Sequence, residues 1–349
     1  MDIISIIKKA ETEHSISRAD IIELILTEST FLNQEIYAAA DRVRHKYVGD
    51  EVHLRALIEF SNICKQNCLY CGLRRDNKNI KRYRLDAETI IRFAETAKNC
   101  GYKTVVLQSG EDDYFDVDKM TLIIKRIKKL DVAITLSIGE KPRHVYEAYK
   151  NAGADRYLLR IETTDKGLYE KLNPQMNWDK RKECLKNLKE LGFELGTGCM
   201  VGLPGQSMES LAEDILLFKS IGADMVGIGP FIANANTPLG GEPNGVFELS
   251  IKIMAVTRLL MPEINIPATT AMESLHPDGR IRALACGANV IMPNVTESEY
   301  RKLYQLYPGK IFSDDTPHHY LYYITEKIKS IGRTVSQTCG SSKSYSRVN

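Results

Sequence analysis

Five glycines in this 349-residue chain each end one kind of pattern and begin another. Gly101, Gly153, Gly192, Gly222 and Gly287 follow stretches with helical spacing of apolar residues and stand directly before strand-like runs. A glycine there can take the left-handed conformation that ends a helix without a Cβ penalty. Three junctions repeat as Gly-Ala-Asp or Gly-Ala-Asn, with Asp155, Asp224 and Asn289 two residues on. The patterning predicts strands near 53–60, 104–109, 132–138, 155–161, 194–201, 224–230, 264–270 and 288–292. Amphipathic helices are predicted between them, at 86–99, 118–130, 178–191, 207–221, 248–260 and 278–286.

Strands that alternate with helices must pair in parallel, and eight such units close into a barrel. The expected fold is α/β, a complete (βα)8 TIM-type barrel over residues 51–310. A helical extension (1–50) precedes it, and a short C-terminal helical segment with a polar tail (311–349) follows. A doubly wound open sheet is the alternative. The glycines after a strand, Gly196, Gly198 and Gly202, do not fit the dinucleotide spacing G-x-G-x-x-G.

Lysine plus arginine number 47 against 45 acidic residues, so bulk charge argues against nucleic acid or a membrane surface as partner. The basic run Lys78, Lys81, Arg82 and Arg84 reads as a solvated face or loop. Charges interrupt the apolar N-terminus, no stretch reaches membrane-spanning length, and eight scattered cysteines form no disulfide framework. A cytoplasmic protein is expected. Cys184, Cys199 and Cys286 read as small core residues, and Cys339 sits in the polar tail.

Barrel interiors are normally filled by branched aliphatic side chains. Here the strand parity puts polar groups inward: Arg55 and Glu59; Thr135 and Ser137; Arg156, Arg160 and Glu162. Gln108, Thr269 and Thr270 add polar groups at strand C-termini. Three inward arginines predict a wet, anion-binding cavity for a small substrate, because the guanidinium fork grips carboxylate-like groups. The alternative is structural pairing of Arg55 or Arg160 with Glu59 or Glu162.

The triplet Cys64, Cys68 and Cys71 (C-x3-C-x2-C) follows the first predicted strand, with no fourth cysteine nearby. A structural zinc site or an electron-transfer 4Fe-4S cluster normally takes four protein ligands. Three thiolates would leave one iron open to another ligand. An incomplete zinc knuckle completed by His53 or a distant cysteine, or a redox pair with a bystander, stay open on spacing alone.

With Tyr70 directly before the last cysteine, the loop resembles that of the radical S-adenosylmethionine (SAM) enzymes, whose motif is C-x3-C-x-aromatic-C after the first barrel strand. The resemblance implies one 4Fe-4S cluster on Cys64, Cys68 and Cys71, with SAM chelating the open iron and Tyr70 near its adenine. Beyond the triplet, HKYVGDEVHLRALIEF (45–60), VVLQSGED (105–112), AGADRYLLRIET (152–163), MVGLPGQ (200–206), IPATTAM (266–272), GANVIMPN (287–294) and YRKLYQLYPGK (300–310) resemble one branch, the HydE maturases of iron-iron hydrogenases. Biotin synthase and methylornithine synthase are cousins.

That resemblance implies that Gln108, Glu162, Arg181, Met292 and Tyr304 contact SAM. It assigns Thr135, Ser137, Arg156, Arg160, Thr269 and Thr270 to an inner substrate and anion pocket, with Arg55 on the same parity. Reduction of the cluster would cleave SAM to a 5′-deoxyadenosyl radical. The radical would act on a cysteine-bound iron carbonyl cyanide complex made by a sister maturase. An electron donor such as ferredoxin or flavodoxin, and transient contact with other maturases, are implied. Some members carry a second cluster near the C-terminus; residues 310–328 here hold His318 and His319 but no cysteine, so one cluster is expected. The rivals are another small-molecule radical SAM enzyme, such as a mutase with an amino-acid-derived substrate, and a non-catalytic iron-sulfur scaffold.

Overall fold

A computed structural model describes residues 2–309 and 317–346. Three helices open the chain: α1 (Ile3–Glu13), α2 (Arg18–Leu26) and α3 (Thr30–Val48). Each starts on a side-chain cap, Asp2, Ser17 or Ser29, as their polar interruptions require. Then β1 (Glu51–Leu54) and β2 (Ala56–Ser61) lead, after the cysteine loop, to α4 (Ala87–Asn99), β3 (Thr104–Ser109), α5 (Val117–Lys128), β4 (Ala133–Ser137), α6 (Arg143–Ala152) and β5 (Arg156–Leu158). The second half runs α7 (Lys166–Leu172), α8 (Trp178–Glu190), β6 (Glu194–Val201), α9 (Met208–Ser220), β7 (Met225–Pro230) and α10 (Phe247–Leu260). It ends with α11 (Thr270–Leu275), α12 (Gly279–Ala285), β8 (Val290–Ile291), α13 (Ser298–Arg301), α14 (Pro317–Ser330), β9 (Thr334–Val335) and α15 (Lys343–Ser346).

Regular parallel pairing joins six strands in the order β2-β3-β4-β5-β6-β7. A second parallel group, β8-β1-β9, flanks it, and Arg55 separates β1 from β2 within the single strand expected at 53–60. The strand expected at 264–270 is weaker than the rest. Isolated bridges hold it, Met225 to Asn265 and Pro267 to Val290, and Thr270 already begins a helix. Pro267 has no N–H to give a ladder, which accounts for the break.

All five junction glycines have positive φ, from 60° at Gly222 to 112° at Gly287. The residue two positions on has a specific task. Asp155 Oδ2 accepts from Ile134 N, Asp224 Oδ2 from Leu195 N, and Asn289 Oδ1 from Ile266 N, each at 2.8 Å. Each side chain thus ties the start of its own strand to the start of the preceding one. Helix α10 is buried from Ser250 to Leu260 on every face, because α1, α2 and α3 cover the side turned away from β7. Lys252 reaches from it to cap the end of α2, donating to Ile25 O and Thr27 O.

The tail is no loose appendage. Thr334 and Val335 pair with Glu51 and Val52, and residues 339–345 turn under the N-terminal ends of the strands. Helices α6 and α7 were not among those predicted, whereas α14 falls in the expected C-terminal helical segment.

Candidate active site

Strand β2 ends where the cysteine loop begins, and the loop is stapled from within. Arg82 donates to the carbonyls of Asn62, Leu73, Arg74 and Asn77 at 2.7 to 3.1 Å. Arg84 forks onto Asp112 at 2.6 and 2.9 Å. The basic run thus lies in a loop: Arg82 and Arg84 brace it, and Arg84 is exposed like Lys78 and Lys81. Two glycines admit the loop to its place. A Cβ on Gly110 would stand 2.3 Å from Ile63 O and 2.7 Å from Cys64 Cβ; one on Gly72 would stand 1.9 Å from Gln305 O.

The Glu111 N–H points at Cys64 Sγ, 3.4 Å away. Burial pushes all three thiols up, Cys68 to about 12. Without a metal they stay protonated near neutral pH; bound iron would hold them as thiolates. Three half-buried thiols on one loop, one of them already accepting a backbone N–H, are a donor set that fits an iron-sulfur cluster. His53 lies at the opposite end of the strand, its ring against Gly340, so it is no fourth ligand for a zinc knuckle.

Around this loop stand the residues assigned to SAM. The Tyr70 hydroxyl donates to Asn173 Oδ1 at 2.8 Å, and its ring joins an apolar slot with Leu168, Leu172, Leu203 and Phe231. Gln108 Nε2 reaches the Tyr304 hydroxyl at 3.4 Å, and Met292 follows β8, half-buried. Glu162 holds a left-handed backbone (φ 67°), and its buried Oε2 makes no hydrogen bond, with Arg160 Nη2 standing 3.4 Å away as an ion-pair partner. A carboxylate with a left-handed backbone in a protein interior is a mark of function. Arg181 binds Glu140 Oε1 and Arg160 O, both at 2.6 Å, so two of its donors are already engaged.

The inward-facing polar residues do not share one pocket. In the upper half, toward the cysteines, the Arg160 side chain is 30 % accessible and Glu162 16 %, and Ser137, Thr269 and Thr270 are half-buried. Arg160 lies 3.4 Å from Glu162, the pairing considered from sequence. Gly196, Gly227 and Gly229 share the inward parity of Glu194 and Met225, so β6 and β7 present little side-chain bulk there. Thr135 lies fully buried, with no partner for its hydroxyl.

The lower half is dry, which corrects the expectation for Arg55 and Arg156. Both have 0 % exposure. Arg156 binds Glu194 Oε2 at 2.5 Å and donates to Thr104 Oγ1, Cys339 O and Ser341 Oγ. Arg55 donates to Gly340 O at 2.9 Å and sits 4.0 Å from Glu194. Tail carbonyls occupy the place foreseen for an anion. Thr269 and Thr270 also differ from expectation: they cap and start α11 rather than end a strand.

Sequence reasoning missed Arg280 and Tyr307. Arg280 is buried beside Thr270, Glu273 and Tyr320, and the Tyr307 phenol is hydrogen-bonded to the Thr270 side chain. One signal was available. Arg280 falls in line with Ala283, Leu284 and Gly287 on the buried stripe of α12, where an arginine is out of place.

A parallel α/β sheet whose first strand runs into a loop of three half-buried cysteines defines a radical SAM enzyme, and residues 58–218 match the model of the Radical SAM superfamily. The crystal structure of methylornithine synthase (PylB) superposes with a TM-score of 0.83 at 26% identity, over 95% of this chain and 97% of that one. In sequence, 3-methylornithine synthase of Methanosarcina acetivorans is 31% identical over 279 residues, 79% of each chain. The [FeFe] hydrogenase maturase subunit HydE of Thermotoga maritima is 55% identical over 313 residues, 89% of each. The chain belongs to the HydE family.

Proposed function

We propose that this enzyme acts in maturation of the iron-iron hydrogenase active site, on a cysteine-bound iron carbonyl cyanide precursor held inside the sheet. The observation that carries this reading is the divided interior: an accessible, cation-lined upper chamber beside the cysteines, over a floor with no room for solvent. The 55% identity to a HydE maturase supports the same assignment. A 4Fe-4S cluster on Cys64, Cys68 and Cys71, with SAM on its open iron, would supply reductive cleavage of SAM to a 5′-deoxyadenosyl radical.

The chain's own residues then bind, orient and shield. Tyr70 and its apolar slot offer a face for adenine. The Oε2 of Glu162, ion-paired with Arg160 at 3.4 Å but making no hydrogen bond, can accept from ribose hydroxyls. Gln108, Tyr304, Met292 and Arg181 complete the SAM cradle. Arg160, Thr269, Thr270 and Ser137 line the substrate chamber, where a guanidinium suits an anionic complex. Arg55, Arg156 and the tail exclude water from below.

We further infer a complete eight-strand closure. The bridges at Asn265 and Pro267, β8 on β1, and the repeated side-chain tie of Asp155, Asp224 and Asn289 all support it. Residues 1–50, 51–310 and 311–349 are the proposed units, with the last supplying the floor. A ferredoxin or flavodoxin as donor, other maturases as transient partners and a cytoplasmic location complete the proposal. Among the described residues no helix is long and apolar enough to cross a membrane.

The test is anaerobic reconstitution with SAM, reductant and the cysteine-bound iron synthon. Conversion of the synthon together with 5′-deoxyadenosine release is expected, and Cys68→Ala should abolish both. Inertness toward the synthon alongside turnover of an amino acid such as lysine would favour a mutase. Absence of 5′-deoxyadenosine from the intact protein would defeat the radical assignment.

A further inference from the structure

We infer that Arg280 is a positioning residue that fixes the hydrogen-bond polarity of the substrate chamber, making the Thr270–Tyr307 wall a donor surface selective for ligands with anionic, acceptor-type ends. The argument rests on the proposed function only for the identity of the natural ligand.

A guanidinium has donors and no acceptor. Arg280 Nη2 donates to Thr270 Oγ1 at 3.0 Å, so that oxygen receives a hydrogen bond and its single proton must point elsewhere. Two destinations are near: the chamber and the phenol of Tyr307. If Thr270 donates to the chamber, the wall presents that hydroxyl. If it donates to Tyr307, the phenol proton is displaced outward and becomes the presented donor. In either case the outermost group on this wall offers a proton.

Thr269 is wired the opposite way. Its hydroxyl donates to Ile228 O at 3.4 Å, so its lone pairs remain as its outward feature. Neighbouring threonines of the same chemical type are therefore given different polarity by what stands behind them.

Arg280 is itself held firmly. Glu273 lies 3.0 Å from its Nε, and the Tyr320 hydroxyl, from α14, meets Nη1. It is buried at 7 % exposure, and both it and Arg160 are paired with carboxylates, Glu273 and Glu162, so the wall acts through the direction of its protons rather than through net charge. Donor protons favour a cyanide nitrogen or a carboxylate oxygen and disfavour an ammonium group.

The test compares Arg280→Met with Arg280→Lys, and Thr270→Val with Thr270→Ser, in cluster-reconstituted protein with SAM bound. Two probes are used, azide and the iron synthon, and infrared spectra follow the azide stretch and the synthon's cyanide stretch. Arg280→Met should weaken both probes at least tenfold and return both bands toward their unbound positions. Arg280→Lys should restore affinity to within about threefold; Thr270→Val should resemble Arg280→Met, and Thr270→Ser the parent. SAM affinity should stay within twofold throughout. Unchanged bands in Arg280→Met and Thr270→Val would overturn the inference, as would a parallel loss of SAM affinity, which marks a packing role. If Arg280→Met does not fold, the contrast between Thr270→Val and Thr270→Ser decides. Azide effects of the expected kind in a protein that never converts the synthon would sustain the polarity inference while sinking the proposed substrate.

Discussion

Glu194 is the one carboxylate between two arginines that have lost all contact with solvent, and replacing it by glutamine probes whether the floor is dry. It accepts from Arg156 Nε at 2.5 Å, from Ser342 N at 2.9 Å and from Asn265 Nδ2 at 3.3 Å, and Arg55 lies 4.0 Å away. Burial and the neighbouring Arg156 already push Arg55 down to about 9, so this centre is short of negative charge even with Glu194 in place. Glu194→Gln keeps the shape but removes the charge, and an amide N–H can then face the Arg156 donor. Leaving a buried charge uncompensated costs about 3–5 kcal/mol. With about 2–4 °C per kcal/mol for chains of 150–250 residues, the melting temperature should fall on the order of 10 °C. Urea unfolding of the reduced apoprotein measures the cost, and limited proteolysis reports whether residues 336–346 detach. In a double-mutant cycle, Glu194→Gln with Arg156→Met should recover about 2 kcal/mol or more of the summed single effects, since the pair acts as a unit. A Glu194→Gln protein within about 0.5 kcal/mol of the parent, the range of an ordinary surface substitution, would refute the reasoning. So would a coupling near zero. Either would mean that water reaches both arginines.

Two further outcomes follow from single sites. Asp214 is fully buried between Thr164 N and the Cys199–Glu162 region, and desolvation raises it from 3.8 to about 7. An acid raised on folding costs stability once it must ionise, so parent stability should fall as pH climbs from about 4 to about 7 and the cost should be complete above that. Asp214→Asn should therefore be the more stable protein at pH 8, by at most a few kcal/mol, since each tenfold change in proton affinity is worth about 1.4 kcal/mol. Its pH profile in urea unfolding should also be flatter. No difference in slope between the two would contradict the sign. Gly110→Ala places a Cβ 2.3 Å from Ile63 O and should displace the cysteine loop. Iron bound after anaerobic reconstitution should drop by half or more while helix content by circular dichroism is kept, and full iron loading would show that the loop has slack.

What could be read from the chain divides along a physical line. Except at 155–161 and 264–270, the limits of the expected helices and strands were readable within a residue or two because local chemistry sets them: Asp86, Asp116, Asn177 and Ser207 cap helices, and the five junction glycines take positive φ. Strand parity also placed Arg55, Arg156 and Arg160 inward, as found. Parity fixes the face of a residue but not the height at which the interior is open. Arg55 and Arg160 share an inward face, yet one is sealed and the other accessible. What separates them is a carbonyl 285 residues from Arg55 in the chain. No pattern near either arginine encodes that contact, and a polar tail gives no local sign of the long-range bonds that hold it under the strands. Glycines on an inner wall pose the converse problem. Gly196 and Gly229 shape the chamber by lacking side chains, and an absence has no periodicity to detect. An α/β radical SAM enzyme can thus be recognised from its repeats and its cysteines, while the depth of its chamber depends on which distant segment serves as the floor. Here that segment lies within residues 334–346, where no motif marks it.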